Sequence, residues 1–152
     1  MNDIHALYQD AIKQFAQAAH GHGQLPAPSG EARLDNPLCG DRVRVQVAQE
    51  GERIAAIGHE TKGCLLCRAA ASLIGLRAIG LDQAGIEAAV AGLESLLKNG
   101  SAPPDGWPEL SIFDPARAYP SRHRCVLLPF RALLDALTES RRWRDGDTRN
   151  PR

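Results

Sequence analysis

The chain has 152 residues and balances 18 basic against 18 acidic side chains, which is enough for one domain with a proper core and points to neither nucleic acid nor a membrane surface. No apolar run approaches the roughly 20 residues needed to span a bilayer, and the N-terminus, with Asp3 and an amphipathic pattern, does not read as a signal peptide. A cytoplasmic protein is therefore expected, where four cysteines serve as thiols or metal ligands rather than disulfides.

Ile4, Leu7, Tyr8, Ala11, Ile12, Phe15 and Ala19 recur at three and four residues and predict an amphipathic helix from Ile4 to Ala19. Asn2 or Asp3 can cap it, and Gly21 and Gly23 stop it. His20-Gly21-His22 can bind metal in principle but reads as a flexible, solvated cap. Gln24 to Asp35 is rich in Pro and Gly and is expected to carry little structure of its own. Asn36-Pro37-Leu38-Cys39-Gly40-Asp41 then predicts a tight exposed turn with a thiol and a carboxylate two residues apart. From Arg42 to Ala48 apolar and polar residues alternate, as in a half-buried strand. Gln49 to Glu52 is a hairpin turn, and Arg53 to Thr61 the return strand, with a bulge expected at Gly58 and His59 read as a structural histidine.

Gly63-Cys64-Leu65-Leu66-Cys67 opens a run of small helix formers, so Cys64 is expected at a helix N-terminus, where free N–H groups favour a thiolate. That helix should end at Gly80. A second runs from near Asp82 to Gly100, with Ile86, Val90, Leu93 and Leu97 on its apolar side. Trp107, Leu110, Ile112 and Phe113 are read as core cover. The last block, Arg122-His123-Arg124-Cys125, places Cys125 at the head of a terminal helix that Pro129 should delay to about Leu128, or kink there. Arg141 onward is polar and arginine-rich. The division expected is a domain over 1–140 and a disordered tail over 141–152.

Three cysteines thus fall at junctions where an element starts or stops. Cys39, Asp41, Cys64 and Cys125 would make a four-ligand zinc set of three thiolates and one carboxylate, although spacing alone does not bring them together. Other readings stand beside it. Cys64 and Cys67 form a C-x-x-C that could be a redox pair, but without a surrounding βαβ pattern, and Cys67 alone also reads as a buried residue on a helix face. A zinc-stabilised interaction module without chemistry is a further reading.

Taken together these segments resemble the IscU/NifU-type iron–sulfur cluster assembly scaffold family. Asn36 to Asp41 is similar to its first cysteine motif, Gly63-Cys64 with Ala69-Ala70-Ala71-Ser72 to its second, and Arg122 to Cys125 to its third. The long connection from Cys64 to Cys125 and the basic Arg124 before the third cysteine resemble the SufU branch. The resemblance implies an α+β fold, N-terminal helix first, with a small antiparallel sheet of about three strands covered by helices on one side and the thiols at one exposed end. It implies zinc held by Cys39, Asp41, Cys64 and Cys125, with Cys39 accepting persulfide sulfur from a cysteine desulfurase of the SufS/IscS type. The alternative it implies is a scaffold that assembles a transient [2Fe–2S] cluster on Cys39, Cys64 and Cys125 and passes it to apo iron–sulfur acceptor proteins. Cys67 departs from the family pattern and leaves the ligand set open, and His123 is one position away from the histidine of IscU proteins.

Overall fold

The computed structural model describes residues 10–144 of the chain. The elements run α1 (Asp10–Ala18), β1 (Gly30–Asn36), β2 (Asp41–Glu50), β3 (Arg53–Lys62), α2 (Leu65–Arg77), α3 (Gln83–Asn99), a stretch of 3-10 turns at Pro108–Ala118, one more at Pro120–Arg122, and α4 (His123–Arg144). This is the expected α+β arrangement, with a three-stranded antiparallel sheet in the order β1-β2-β3. The expected helix start and its Asn2 or Asp3 cap lie outside the described residues. Among those described, no helix is long and apolar enough to cross a membrane.

The alternation in β2 decides which way the sheet faces. Val43, Val45 and Val47 are fully buried, and their cross-strand partners are Leu34, Ala32 and Gly30 on one side and Thr61, His59 and Ile57 on the other. This face packs against α4 and α2. The opposite face carries Glu31, Arg33, Arg44 and Glu60, with Arg44 paired to Glu60. Gln46 also belongs to that face, yet it is buried because its carboxamide accepts the Leu25 N–H at 2.8 Å and donates to Glu31.

β1 corrects the expectation of a structureless loop from Gln24 to Asp35. Proline and glycine mark the first half of that segment, but from Gly30 the chain pairs residue for residue with β2, from Gly30↔Val47 to Asn36↔Asp41. Its short pattern, with only Ala32 and Leu34 apolar, is a weak strand signal by itself, and pairing with β2 and packing under α4 supply what local preference does not. The bulge also lies elsewhere than expected. The register shifts between Ala48 and Gln49, whereas Gly58 is regular and lets the Gly23 carbonyl and Leu25 approach its strand.

His20 and His22 are not a loose cap. The helix stops at Ala18 because Ala19 adopts a left-handed conformation, φ 46. The chain then lies along β3, where His59 donates its backbone N–H to Gly21 O at 3.0 Å and Gly23 N–H donates to His59 O at 2.9 Å. The His59 ring, buried as expected of a structural histidine, donates from Nε2 to His20 O at 2.7 Å and accepts the Thr61 hydroxyl at Nδ1.

The helix boundaries follow their caps. Asp82 accepts the Gly85 N–H at 2.9 Å to start α3, and Gly100, left-handed at φ 74, ends it. α2 ends at Arg77, short of Gly80. Trp107, Leu110 and Phe113 are buried in the core as read. α4 differs in its start. It begins at His123 and runs through Pro129, because Pro129 falls early in a helix whose buried face holds it in place, and only the bond it would have donated to the Cys125 carbonyl is lost. α4 also continues to Arg144, into the segment read as a tail, and the rest of that segment lies outside the described residues.

The tightest crossing is where the 20–23 segment passes α2. A Cβ on Gly75 would stand 2.0 Å from the His20 carbonyl oxygen, and backbone on both sides leaves little room to relax. Gly75→Ala is expected to destabilise the fold by about 1–3 kcal/mol, read by urea unfolding, with faster amide exchange at His22 and Gly23. Unchanged stability would mean the crossing is soft.

Candidate metal centre

Asn36↔Asp41 is the last pair of the β1–β2 ladder, so Pro37, Leu38, Cys39 and Gly40 form the hairpin loop. The Cys39 N–H donates to Asn36 O at 3.2 Å, and Gly40, at φ 71, turns the chain back into β2. Cys39 therefore sits half-buried at a loop tip, next to Leu38, which is 80% exposed. Asp41, two residues on, is the first residue of β2 and points inward, almost fully buried.

Cys64 occupies the N-cap of α2, with extended backbone at φ −69 and ψ 165. Its backbone N–H donates to Asp41 Oδ1 at 2.9 Å, and its sulfur lies 4.0 Å from Asp41 Oδ2. One carboxylate oxygen thus anchors the helix start while the other faces the sulfurs. Gly63 makes this approach possible. It adopts φ 156, and a Cβ there would meet Asp41 Oδ1 at 2.2 Å. Cys125, the third residue of α4, is fully buried and brings its sulfur to 3.2 Å from that of Cys39.

Cys39, Asp41 and Cys125 therefore offer ligand atoms that all lie within 4.8 Å of one another. Cys64, the fourth residue of the expected set, stands at the edge of this triad, in touch with Asp41. The Cys64 thiol is held down to about 7, first because the Cys125 thiol donates to its sulfur and then because the Cys67 and Leu66 N–H groups point at it; burial and the Asp41 charge oppose this. The same shared proton, with burial, pushes the Cys125 thiol up. Cys67 faces the other way from solvent, fully buried in the core, and burial first and the surrounding anionic groups next push its thiol up as well.

Two neighbours were not singled out by sequence. Arg122 brings Nη1 to 3.9 Å from the Cys39 sulfur, and the Asn36 carboxamide lies beside Cys125. Both fall inside the motifs already noted, but nothing in their spacing says which way they point. His123 turns from the site and donates from Nε2 to Ala116 O at 3.1 Å, and Arg124 is exposed.

A family profile for the NifU-like N-terminal domain matches residues 7–94, more than half of the chain. The chain belongs to that family. It is 27% identical over 143 residues to the iron–sulfur cluster assembly scaffold protein IscU of Streptococcus pyogenes serotype M1, covering 92% of this chain and 88% of that protein. The crystal structure of a nitrogen-fixing NifU-like protein (N-terminal) from Brucella abortus superimposes with a TM-score of 0.85 at 29% identity, covering 91% of this chain and 96% of the other. A putative iron–sulfur cluster assembly scaffold protein for the SUF system from Fervidobacterium islandicum AW-1 shares the fold, with a TM-score of 0.79 at 23% identity, covering 89% and 99%. The resemblance carried by the three cysteine motifs is thus borne out at the level of family and fold.

The donor set fits a thiophilic ion. Soft sulfurs and one carboxylate oxygen suit zinc or iron rather than magnesium or calcium, and Asp41 has Oδ1 engaged by the Cys64 N–H while Oδ2 lies 4.0 Å from the Cys64 sulfur. Gly63→Ala is expected to push Asp41 off its anchor and lower zinc affinity by about 10–100-fold, measured by chelator competition; wild-type affinity in the variant would show that Asp41 does not need this cradle. In metal-free protein, iodoacetamide labelling of Cys64 should rise through about pH 7, below the ~8.5 of a free thiol, while Cys67 stays unlabelled until the chain unfolds. Peptide mapping across pH checks both, and early labelling of Cys67 would refute its burial.

Proposed function

We propose that this chain works in iron–sulfur cluster assembly, accepting sulfur from a cysteine desulfurase persulfide at Cys39. Zinc would be held by Cys39, Asp41, Cys64 and Cys125, and when bound it would keep the thiols deprotonated and tie their segments together. The observation that carries this reading is the unequal footing of the sulfurs. Cys125 and Cys64 belong to the first turn and cap of helices, whereas Cys39 lies on a hairpin loop closed by Gly40. A sulfur that must reach a partner's persulfide needs access and somewhere to move, and only Cys39 has both.

The chain's residues then have distinct parts. The Cys39 thiolate attacks the outer sulfur of the desulfurase's Cys–S–SH; a new S–S bond forms at Cys39, the old one breaks, and the desulfurase cysteine leaves as thiolate. Arg122 sets a positive charge against the Cys39 sulfur. Asp41 stays on the Cys64 N–H, and its second oxygen would be the hard ligand among soft ones, the one exchanged most easily. The name of the Streptococcus pyogenes relative, an assembly scaffold, supports the same pathway, and apo iron–sulfur proteins would receive what is built.

Cys39→Ser is expected to abolish the stimulation of sulfide release by a matched desulfurase while keeping the fold, and Cys67→Ser to leave it largely intact. Mass spectrometry should find the added sulfur on Cys39. Persulfide on Cys67 with an active Cys39→Ser variant would overturn the assignment. A brown, iron-loaded protein from anaerobic purification would instead favour a cluster assembled on these thiols as cargo.

A further inference from the structure

One buried polar side chain at the site has a single partner. Asn36 is only 3% exposed, its Oδ1 is buried with no hydrogen-bond partner, and its Nδ2 lies 3.9 Å from the Cys125 sulfur. Its backbone is held from two sides, by the terminal ladder pair with Asp41 and by the Cys39 N–H, which sets the side chain beside Cys125. A buried amide with half its capacity unmet is unfavourable where an apolar residue of the same size would fit. Its one interaction is therefore the reason to look for a role.

We infer that Asn36 is a positioning residue for the metal centre, its carboxamide donating an N–H···S hydrogen bond to Cys125 and steadying that sulfur as an anionic ligand. The inference rests on the proposed metal site. Its chemistry is directional. A thiolate has no proton to give, so only the Nδ2-forward orientation attracts it, and the turned amide would present oxygen to a negative sulfur. Charge-assisted bonds are the stronger kind, so the contact gains most when the sulfur is anionic. It also draws electron density off the sulfur, which should alter the energy of any ligand-to-metal charge-transfer band. Outer-shell donors of this sort orient a ligand and tune the metal it binds. Asn36 and Asp41 flank the loop that carries Cys39, so one hairpin places a ligand at its tip, a second at its exit, and a donor for the third ligand at its entrance.

The test is anaerobic cobalt(II) titration of the full chain, wild type against Asn36→Leu, which keeps the bulk and removes the donor, and Asn36→Asp, which keeps the shape and adds negative charge. Asn36→Leu should bind cobalt about 10-fold more weakly and move the thiolate charge-transfer band to lower energy, and Asn36→Asp should lose more affinity. If Asn36→Leu does not fold, Asn36→Asp carries the comparison. A purely structural role would lower the melting temperature of the metal-free variants and leave the band of the loaded ones in place, which would overturn the inference. So would equal affinity and identical spectra in all three proteins. Wild-type protein that shows no cobalt–thiolate band at all would overturn the metal reading itself, and with it this one.

Discussion

The hydrogen bond from the Cys64 backbone to Asp41 Oδ1 is the constraint on which the site depends. It joins the first residue of β2 to the cap of α2 across 22 intervening residues. A helix start has N–H groups without partners, and here one of them is met by a carboxylate from a different element. That choice fixes the α2 terminus against the sheet and turns the other carboxylate oxygen toward the sulfurs. It works only because Gly63 has neither a Cβ nor an objection to φ 156.

The sheet and α4 complete the arrangement. The inward face of β1 and β2 packs beneath α4, and the early start of that helix at His123 carries Cys125 into the interior within reach of the hairpin loop. Pro129 sits four residues after Cys125, so the Cys125 carbonyl loses its usual helical donor. Further from the site, the 20–23 segment bridges β3 and α2, with His59 bonded at both ring nitrogens. This backing sets Cys64 and Cys125 at helix starts against the core, while Cys39 is half-buried on its hairpin loop.

The same packing separates Cys67 from its neighbours in function. Three residues place it one turn beyond Cys64, yet its side chain enters the core with Leu66, Ala70 and Leu73. Only its backbone N–H faces the Cys64 sulfur. A C-x-x-C at a helix start thus becomes one accessible thiol and one sequestered one.

Local pattern by itself determined much of this protein. The alternation of Val43, Val45 and Val47, the caps at Asp82 and Gly100, and the cysteine motifs were all legible, because periodicity and capping are properties of adjacent residues. β1 was not, since two apolar residues in seven specify a strand only once β2 and α4 are beside them. The same holds for the start of α4, where tertiary packing overrides the local signal of Pro129. The candidate site was legible as residue types but not as geometry. Sequence named Cys39, Asp41, Cys64 and Cys125; only the fold decided that three of them converge while Cys64 stands against Asp41, that Arg122 and Asn36 face the sulfurs, and that His123 does not. Those outcomes depend on side-chain direction across contacts between residues distant in the chain, which no local spacing encodes.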